Sequence, residues 1–213
     1  MKIFKAFTLA EVLITVAIIG IIAVMATPVL IKNYQRKVAV AQLQEAYFLA
    51  KQGIEDAIGR ENAYSFTDTK LYKSCFAGKS STNCKQAFGK YYKTMEYTKY
   101  MEYQDINKSF YKTECETYDL TNGIYTNCYQ SDKLLDEYVD GNIVVLANGT
   151  TFYMNIQGDS PRLTIDTNGD NEPNTFGRDI FMFFVDKKTG ELKFGGPRPN
   201  AQDIIEAGWE MNY

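Results

Sequence analysis

Hydrophobic and polar residues follow two different patterns in the N-terminal part of the chain. From Val12 to Ile31 no residue is charged, and apart from two threonines, one glycine and one proline every side chain is apolar. A helix of about 20 residues extends over about 30 Å, which is the thickness of the hydrocarbon core of a bilayer. This stretch therefore predicts a membrane-spanning helix.

After Pro28 the helical pattern continues and becomes amphipathic. Apolar residues recur at alternating steps of three and four, which places them on one face of a helix; they are Val40, Leu43, Tyr47, Ala50, Ile54 and Ala57. We expect one helix from Phe7 to about Gly59. Because proline lacks the backbone N–H, Pro28 is expected to bend or locally open this helix.

The pattern changes to that of β-strands near Ile143. An apolar run from Ile143 to Ala147 is followed by Asn148-Gly149, which predicts a two-residue hairpin turn. In the second strand of this hairpin three apolar residues alternate with Thr151, Tyr153 and Asn155; they are Phe152, Met154 and Ile156. A hairpin is therefore predicted.

Three further strands are predicted after the hairpin. The first is marked by Leu163 and Ile165, the second covers Ile180 to Val185, and the third is marked by Leu192 and Phe194. These strands suit an antiparallel sheet that packs on the amphipathic half of the helix. The expected fold class is α+β.

The middle of the chain, from about residue 60 to residue 138, gives a weaker signal. It is rich in Tyr and Lys and has little clean periodicity. The tyrosines at 91, 92, 97, 100 and 103 are compatible with an aromatic surface that binds glycans or partners. Tyrosines more often bury one side of the ring against a small domain and keep the hydroxyl in water.

Composition limits the functions that the chain can have. The formal net charge is −3, and without Lys2 and Lys5 the side chains would sum to −3 − 2 = −5, so no nucleic-acid partner is expected. The chain contains no histidine, and it has neither a nucleophile motif nor a phosphate-binding glycine loop. No catalysis is expected.

Glu11 is the unusual residue of the N-terminal segment. It directly precedes the charge-free run, and an ionisable side chain in such surroundings costs up to about 3 kcal/mol unless it meets a partner. The sequence therefore predicts that another group compensates this carboxylate.

The residues Lys5-Ala6-Phe7-Thr8-Leu9-Ala10-Glu11-Val12-Leu13-Ile14 resemble the processing signature of type IV prepilins and type II secretion pseudopilins. Pro28 matches a common proline of that family. The resemblance implies that prepilin peptidase removes a leader, residues 1–6, between Ala6 and Phe7 and that the new amine of Phe7 is methylated. The family usually has glycine before the cut, whereas this chain has the similarly small Ala6.

The same resemblance implies a structural role and a pilin-like fold. In the family's filaments the carboxylate at the position of Glu11 neutralises the amine of a neighbouring subunit, since two charges that are costly alone become tolerable as a pair. The implied protein is a subunit of a pilus or of a type II secretion system pseudopilus. Its implied partners are identical or related pilin subunits, prepilin peptidase and the inner membrane.

The resemblance also orients the chain, which the flanking positive charges do not. Lys2 and Lys5 lie before the apolar run, and Lys32, Arg36 and Lys37 lie after it, so the positive-inside rule favours neither direction. The family places the leader in the cytoplasm and everything after about Ile31 outside it. The expected regions are a leader (1–6), a transmembrane and filament-core half-helix (7–31), an amphipathic half-helix (32–59), a variable region (60–138) and a β region (139–213).

Three other interpretations stay open. The N-terminus has features of a secretory signal that is cut near Val24-Met25-Ala26. It also fits a simple membrane anchor whose Glu11 stays hydrated at the headgroups. The alternative function is a membrane-anchored extracytoplasmic binding module that uses the Tyr-rich middle region.

The cysteines predict disulfides in an oxidising compartment. All four cysteines lie in the part expected outside the cytoplasm; they are Cys75, Cys84, Cys115 and Cys128. An even number favours two disulfides, for which three pairings are possible. We expect the two local pairs, Cys75 with Cys84 and Cys115 with Cys128. A zinc site is disfavoured, because close cysteine pairs and histidine are both lacking.

An acidic loop between the third and fourth predicted strands is a candidate calcium site. Oxygen side chains at alternate positions can converge on a hard cation, and the candidate ligands are Asp166, Asn168, Asp170 and Asp179. The loop resembles the calcium loop near the end of major pseudopilins, and it lacks the glycine and glutamate of an EF-hand. The competing interpretation is a turn in which Asp and Asn bond their own backbone.

Overall fold

The computed structural model describes residues 8–78, 81–92, 97–102, 111–119, 121, 124–134, 141–146, 148–169 and 171–213. The predicted leader, Phe7 and the candidate ligand Asp170 lie outside the described residues. The chain divides into two compact units, one that ends at Val38 and one from Ala39 to Tyr213. A single helix, α1 (Leu9–Glu61), contributes to both.

In the first unit the apolar side chains of α1 have no cover within the described chain. Between Leu9 and Ile31 the large apolar side chains are 48% to 80% exposed. Among the described residues, α1 is the one helix whose length and composition would allow it to cross a membrane. The helix is continuous through Pro28, and Thr27 Oγ1 donates to the carbonyl of Ala23 at 2.6 Å.

In the second unit the predicted apolar stripe of α1 is the face that enters the core. The side chains of Val40, Leu43, Ala50, Ile54 and Ala57 are buried, and Tyr47 is half-buried. The buried residues lie three or four positions apart, so they share one side of the helix. The helix ends at Glu61, two residues beyond the expected end at Gly59.

Six strands of the described chain form one antiparallel sheet. Their spatial order across this sheet is β1-β4-β5-β6-β7-β8, where the numbers follow the sequence. Their bounds are β1 Tyr97–Glu102, β4 Asn142–Leu146, β5 Thr151–Gln157, β6 Ser160–Asp166, β7 Ile180–Val185 and β8 Leu192–Gly195. The four strands from β5 to β8 coincide with those expected from the sequence. Sequence and structure agree on the α+β class.

The predicted β4–β5 hairpin is present, but its turn is wider than predicted. Leu146 N donates to Thr150 O at 2.8 Å and Gly149 N donates to Leu146 O at 2.9 Å, so three residues rather than two lie between the paired ends. Asn148 Oδ1 accepts from Thr150 N at 3.1 Å and stabilises this wider form. Ala147, the expected last residue of the first strand, lies outside the described residues.

Strands β5, β6 and β7 are buried on both faces over most of their length, although apolar and more polar residues alternate in β5. On the α1 side Phe152 and Met154 join the main core. On the opposite side Tyr153 packs in a smaller cluster with Ile143, Phe176, Ile180 and Met182. Thr151 and Asn155 are buried as well. Phe176 comes from the connection between β6 and β7 and lies far from Tyr153 in the sequence. The pattern of residues within β5 therefore does not predict this second apolar cluster.

The middle region folds into short elements that its sequence pattern did not indicate. A 3-10 turn (Phe66–Asp68) and a π-helical turn (Tyr72–Phe76) lead to α2 (Ser81–Tyr91). A separate two-stranded ribbon consists of β2 (Tyr111–Asp119) and β3 (Ile124–Leu134). Outside the middle region, a last short helix, α3 (Ala201–Glu206), is capped by Asn200.

Candidate assembly site and metal loop

The start of α1 is closed by a reciprocal pair of side chains. Thr8 donates from both its backbone N and its Oγ1 to Glu11 Oε2, at 2.8 Å each, and Glu11 N donates to Thr8 Oγ1 at 3.3 Å. This is a capping box, in which the first and fourth residues satisfy each other's exposed N–H groups. The positive end of the helix dipole also favours a carboxylate at this place. The Glu11 side chain is therefore held in place by its own helix end.

The capping box leaves part of the Glu11 carboxylate free for another group. Both contacts from Thr8 reach Oε2, and within the part of the chain that is described no hydrogen bond to Oε1 is present. Oε1 can accept from a cation that approaches the helix end. Ala6 and Phe7, the predicted processing residues, lie outside the described residues, so the structure does not place the predicted amine.

The sequence interpretation missed Thr8, although a signal for it was present. Ser or Thr followed three residues later by Glu, immediately before an apolar run, is the sequence pattern of a capping box. Thr8 and Glu11 have this spacing. Thr8 thus positions Glu11, the side chain for which the family resemblance predicts a role in assembly.

Polar side chains inside the apolar run bond to their own helix. Thr15 Oγ1 donates to the carbonyls of Glu11 and Val12 at 2.9 Å each, and Thr27 Oγ1 donates to that of Ala23. A hydroxyl that is satisfied in this way can face lipid or another apolar helix at little cost. The two threonines of the segment from Val12 to Ile31 therefore need no hydrogen-bond partner outside their own helix.

The four cysteines form the two local disulfides that the sequence favours. Cys75 is bonded to Cys84 with the Cα atoms 4.6 Å apart, and both residues are fully buried. Cys115 is bonded to Cys128, its direct partner in the register of β2 and β3. The first bridge ties the π-helical turn to α2 inside the core, while the second crosses the separate ribbon.

The predicted calcium loop begins and ends at two buried carboxylates. Asp166 Oδ1 accepts from Asn168 N at 3.3 Å and from Gly169 N at 3.0 Å. The Asp179 carboxylate accepts from Asn174 N at 2.9 Å and from Thr175 N at 2.7 Å. Thr167 N donates to the carbonyl of Asp179 at 2.8 Å, which joins the two ends of the loop. The competing interpretation is therefore correct in part, because both Asp side chains accept hydrogen bonds from nearby backbone N–H groups.

The same loop also holds buried oxygens that lack a hydrogen-bond donor. Among the described residues, Thr167 Oγ1, Asn168 Oδ1 and Asn174 Oδ1 are buried and accept no hydrogen bond. Buried polar atoms are normally satisfied, and oxygens without donors suit a hard cation. Within the described residues no three acidic, cysteine or histidine side chains converge, and the candidate ligand Asp170 lies outside them.

One polar cluster links the end of α1 to α2. The Tyr91 hydroxyl donates to Glu61 Oε1, Lys70 N donates to Glu61 Oε2 at 2.9 Å, and Lys90 Nζ lies 3.6 Å from Oε1. Burial raises the pKa of Glu61, but the hydrogen bonds and nearby lysines outweigh it and hold the pKa below its ordinary value. Burial and the Glu61 contact raise the pKa of Tyr91. Glu61 therefore stays ionised and fixes this junction.

Comparisons with known proteins find one family match and one similar protein. Residues 1–27 match the family described as the prokaryotic N-terminal methylation motif. A fimbrial protein of Moraxella nonliquefaciens is 44% identical over 68 residues, which are 31% of this chain and 41% of that protein. The match thus covers less than half of the relative's length. No solved structure matches the chain.

Proposed function

We propose that the chain is a member of the type IV pilin family and a structural subunit of a pilus or a type II secretion pseudopilus, because its residues 1–27 match the N-terminal methylation motif and a fimbrial protein is 44% identical over 68 residues. The observation that carries the proposal is the exposed, charge-free surface of α1 directly behind a fixed carboxylate. Such a surface needs an apolar environment, which the inner membrane supplies before assembly and other subunits supply afterwards. The role is structural and requires no catalysis.

In this proposal the chain is processed before it assembles. Prepilin peptidase removes residues 1–6 and leaves Phe7 with an amine that is then methylated. The second unit lies outside the cytoplasm, in agreement with its two disulfides. The motif at residues 1–27 supports this order of events.

Glu11 then compensates the amine of a neighbouring subunit. Thr8 holds Oε2 and leaves Oε1 available, so the carboxylate can bind a cation without losing the cap of its own helix. A charged pair in apolar surroundings is tolerated, whereas one charge alone is costly. The pair would fix how far one subunit is displaced along the next.

Mass spectrometry of the mature N-terminus tests this function. The protein isolated from its own cells is expected to begin with N-methylated Phe7. A chain that retains Met1, or one that begins at Thr27 after signal cleavage, would contradict assembly and leave a membrane-anchored or exported binding module. Replacement of Ala6 by Gly, the usual family residue, is the matched control and should preserve the same mature N-terminus.

We further propose that the loop between β6 and β7 binds calcium. Asp166, Asn168 and Asp179 of the predicted set are present around the loop, and the buried oxygen of Asn174 is a further ligand candidate. Asp170 completes the predicted set. A bound cation would satisfy the amide oxygens that lack a donor and would join the two ends of the loop.

Thermal unfolding in the presence of calcium tests the metal proposal. Calcium is expected to raise the melting temperature, because a ligand that binds the folded state stabilises it by mass action. The rise should disappear in Asp166→Ala and persist in Asp159→Ala, which changes an exposed acidic residue of the β5–β6 turn. A melting temperature that does not respond to calcium in the unmodified protein would refute the site.

A further inference from the structure

Three aromatic rings form a cluster on the surface of the second unit. The ring centroids of Tyr47 and Phe48, Tyr47 and Trp209, and Phe48 and Trp209 are 5.6, 6.2 and 6.1 Å apart. Tyr47 also contacts the buried ring of Phe183 at 5.6 Å, which anchors the cluster to the core. Phe48 is 54% exposed. We call these three rings the aromatic patch.

The backbone holds Trp209 at this surface in an unusual conformation. Its φ angle is +64°, in the left-handed region that bulky side chains rarely occupy. Trp209 N donates to the carbonyl of Ile204 at 2.9 Å, and Gly208 N donates to that of Ile205 at 3.0 Å. Conformations of this kind persist where the surrounding structure enforces them, and they are frequent at functional sites. The turn after α3 thus presents the indole beside Phe48.

The two segments that build the aromatic patch carry mainly acidic groups, and the lysine that follows Phe48 most closely, Lys51, pairs with Glu55 at 3.8 Å. Between Val38 and Ala50 the one charged residue is Glu45, and from Pro199 to the end of the sequence the charged residues are Asp203, Glu206 and Glu210. Asp203 pairs with Arg198 at 3.6 Å, whereas Glu45, Glu206 and Glu210 are exposed. An apolar surface with this border favours a partner that is both apolar and basic.

The same chain contains a segment with the complementary properties. No acidic residue occurs from Val12 to Gln44, and the charged residues of this stretch are Lys32, Arg36 and Lys37. They follow directly on the apolar run, and Ile31, Lys32 and Lys37 are exposed. Another copy of the chain therefore offers apolar and cationic groups side by side.

We propose that the aromatic patch binds the basic end of the apolar helix, residues 31–37, of a second copy of this chain. The apolar end of the segment would cover Phe48, and a lysine would lie over the indole of Trp209 as a cation–π pair with Glu45 and Glu210 nearby. This proposal rests on the proposed function, because it requires that copies assemble. Anionic lipids and nucleic acids suit the patch poorly, since its border is acidic.

Cross-linking between copies tests the contact directly. All four native cysteines are in disulfides, so an introduced cysteine is the reactive thiol of its copy. Copies with Glu210→Cys are co-expressed in cells with copies that carry Lys37→Cys and treated with a short thiol-specific linker. We expect a covalent dimer of the two variants in filaments. The control replaces Glu210→Cys by Tyr64→Cys, at an exposed ring of another surface, and should give no dimer.

Filament yield provides the second measurement. Phe48→Ala should lower the yield of sheared filaments about tenfold, as expected for an aromatic residue central to an interface, and Tyr64→Ala should leave it unchanged. Lys37→Glu should also lower the yield, and Glu210→Lys in the same chain should restore part of it.

The outcomes separate this proposal from the function on which it rests. If the unmodified protein makes filaments but Phe48→Ala assembles normally and the Glu210–Lys37 dimer is missing, the contact is refuted and the pilin function stands. If the unmodified protein makes no filaments and keeps its leader, both proposals fail.

Discussion

The two parts of α1 have similar backbones and opposite surroundings. Between Leu9 and Ile31 the large apolar side chains are at least 48% exposed, whereas Leu43, Ala50 and Ile54 are almost completely buried against the second unit. Burial of apolar surface is the main favourable term in folding. The later part of the helix therefore has its stabilising contacts within the chain, whereas the described residues leave the large apolar side chains of the earlier part exposed.

Removal of residues 1–38 should have the largest effect on behaviour in solution. The shortened chain loses the exposed apolar surface but keeps the core of the second unit, so it should stay monomeric without detergent, whereas the full chain should require detergent. Size-exclusion chromatography and near-ultraviolet circular dichroism measure this. Aggregation of the shortened chain, or loss of its tertiary signal, would show that the second unit does not fold by itself.

Loss of the buried disulfide should cost more than loss of the ribbon disulfide. Cys75→Ser with Cys84→Ser removes a bridge that is fully buried, and we expect a loss of about 3 to 5 kcal/mol in the free energy of unfolding. Cys115→Ser with Cys128→Ser should cost about 2 to 3 kcal/mol, because these residues are only half-buried. Urea unfolding measures both. An equal loss in the free energy of unfolding for the two double variants would show that the burial of a disulfide does not decide its contribution here.

Three glycines of α1 compare the surroundings of the helix at the scale of one methyl group. An added Cβ at Gly53 would overlap the buried ring of Tyr92, whereas Gly20 and Gly59 have nothing within 4 Å. Gly53→Ala should destabilise the protein by about 2 kcal/mol, since overpacking outweighs the better helix propensity. Gly59→Ala should stabilise it by about 0.5 kcal/mol, and Gly20→Ala should leave the second unit unchanged. Chemical unfolding measures all three effects. An unchanged free energy of unfolding in Gly53→Ala would contradict the close contact between Gly53 and the Tyr92 ring.

A smaller, pH-dependent effect is expected at Glu61. Its side chain is 14% exposed, and its pKa lies below the ordinary value of 4.5. A carboxyl group whose pKa is lower in the folded protein than in the unfolded chain stabilises the fold at pH values above its unfolded-chain pKa. This stabilisation is lost as the pH falls through the pKa of the folded protein. Glu61→Gln should therefore cost about 1 kcal/mol near neutral pH and nothing in strong acid. Unfolding at several pH values tests this, and a constant difference between the two proteins would contradict the assigned ionisation.

Local sequence patterns predicted the parts of the fold that depend on local chemistry. Helix α1, the β4–β5 hairpin and the later strands follow from spacing and turn residues, and Cys75 pairs with its near neighbour Cys84. The elements between Phe66 and Tyr91 are short, and they are fixed by contacts with Glu61 and by the disulfide rather than by periodicity. A pattern search over one segment does not detect such contacts.

The candidate sites show the same limit. Glu11 is evident from the sequence because its charge lies beside a long apolar run, whereas Thr8 was not predicted, although the spacing of a capping box marks it. The aromatic patch could not be found in this way, since Phe48 and Trp209 are far apart in the sequence and meet only when the turn after α3 reaches α1. Its acidic border likewise comes from two separate segments.

Substitution of Glu11 tests the central claim, that a fixed carboxylate binds the cation of a second subunit, most directly. Glu11→Gln is the sharpest variant, because glutamine can still form the capping box with Thr8 but carries no charge; Glu11→Ala removes both. Both variants are expected to insert and to be processed at Phe7, and both should lose about tenfold or more in filament yield. A normal yield of Glu11→Gln filaments would contradict the claim.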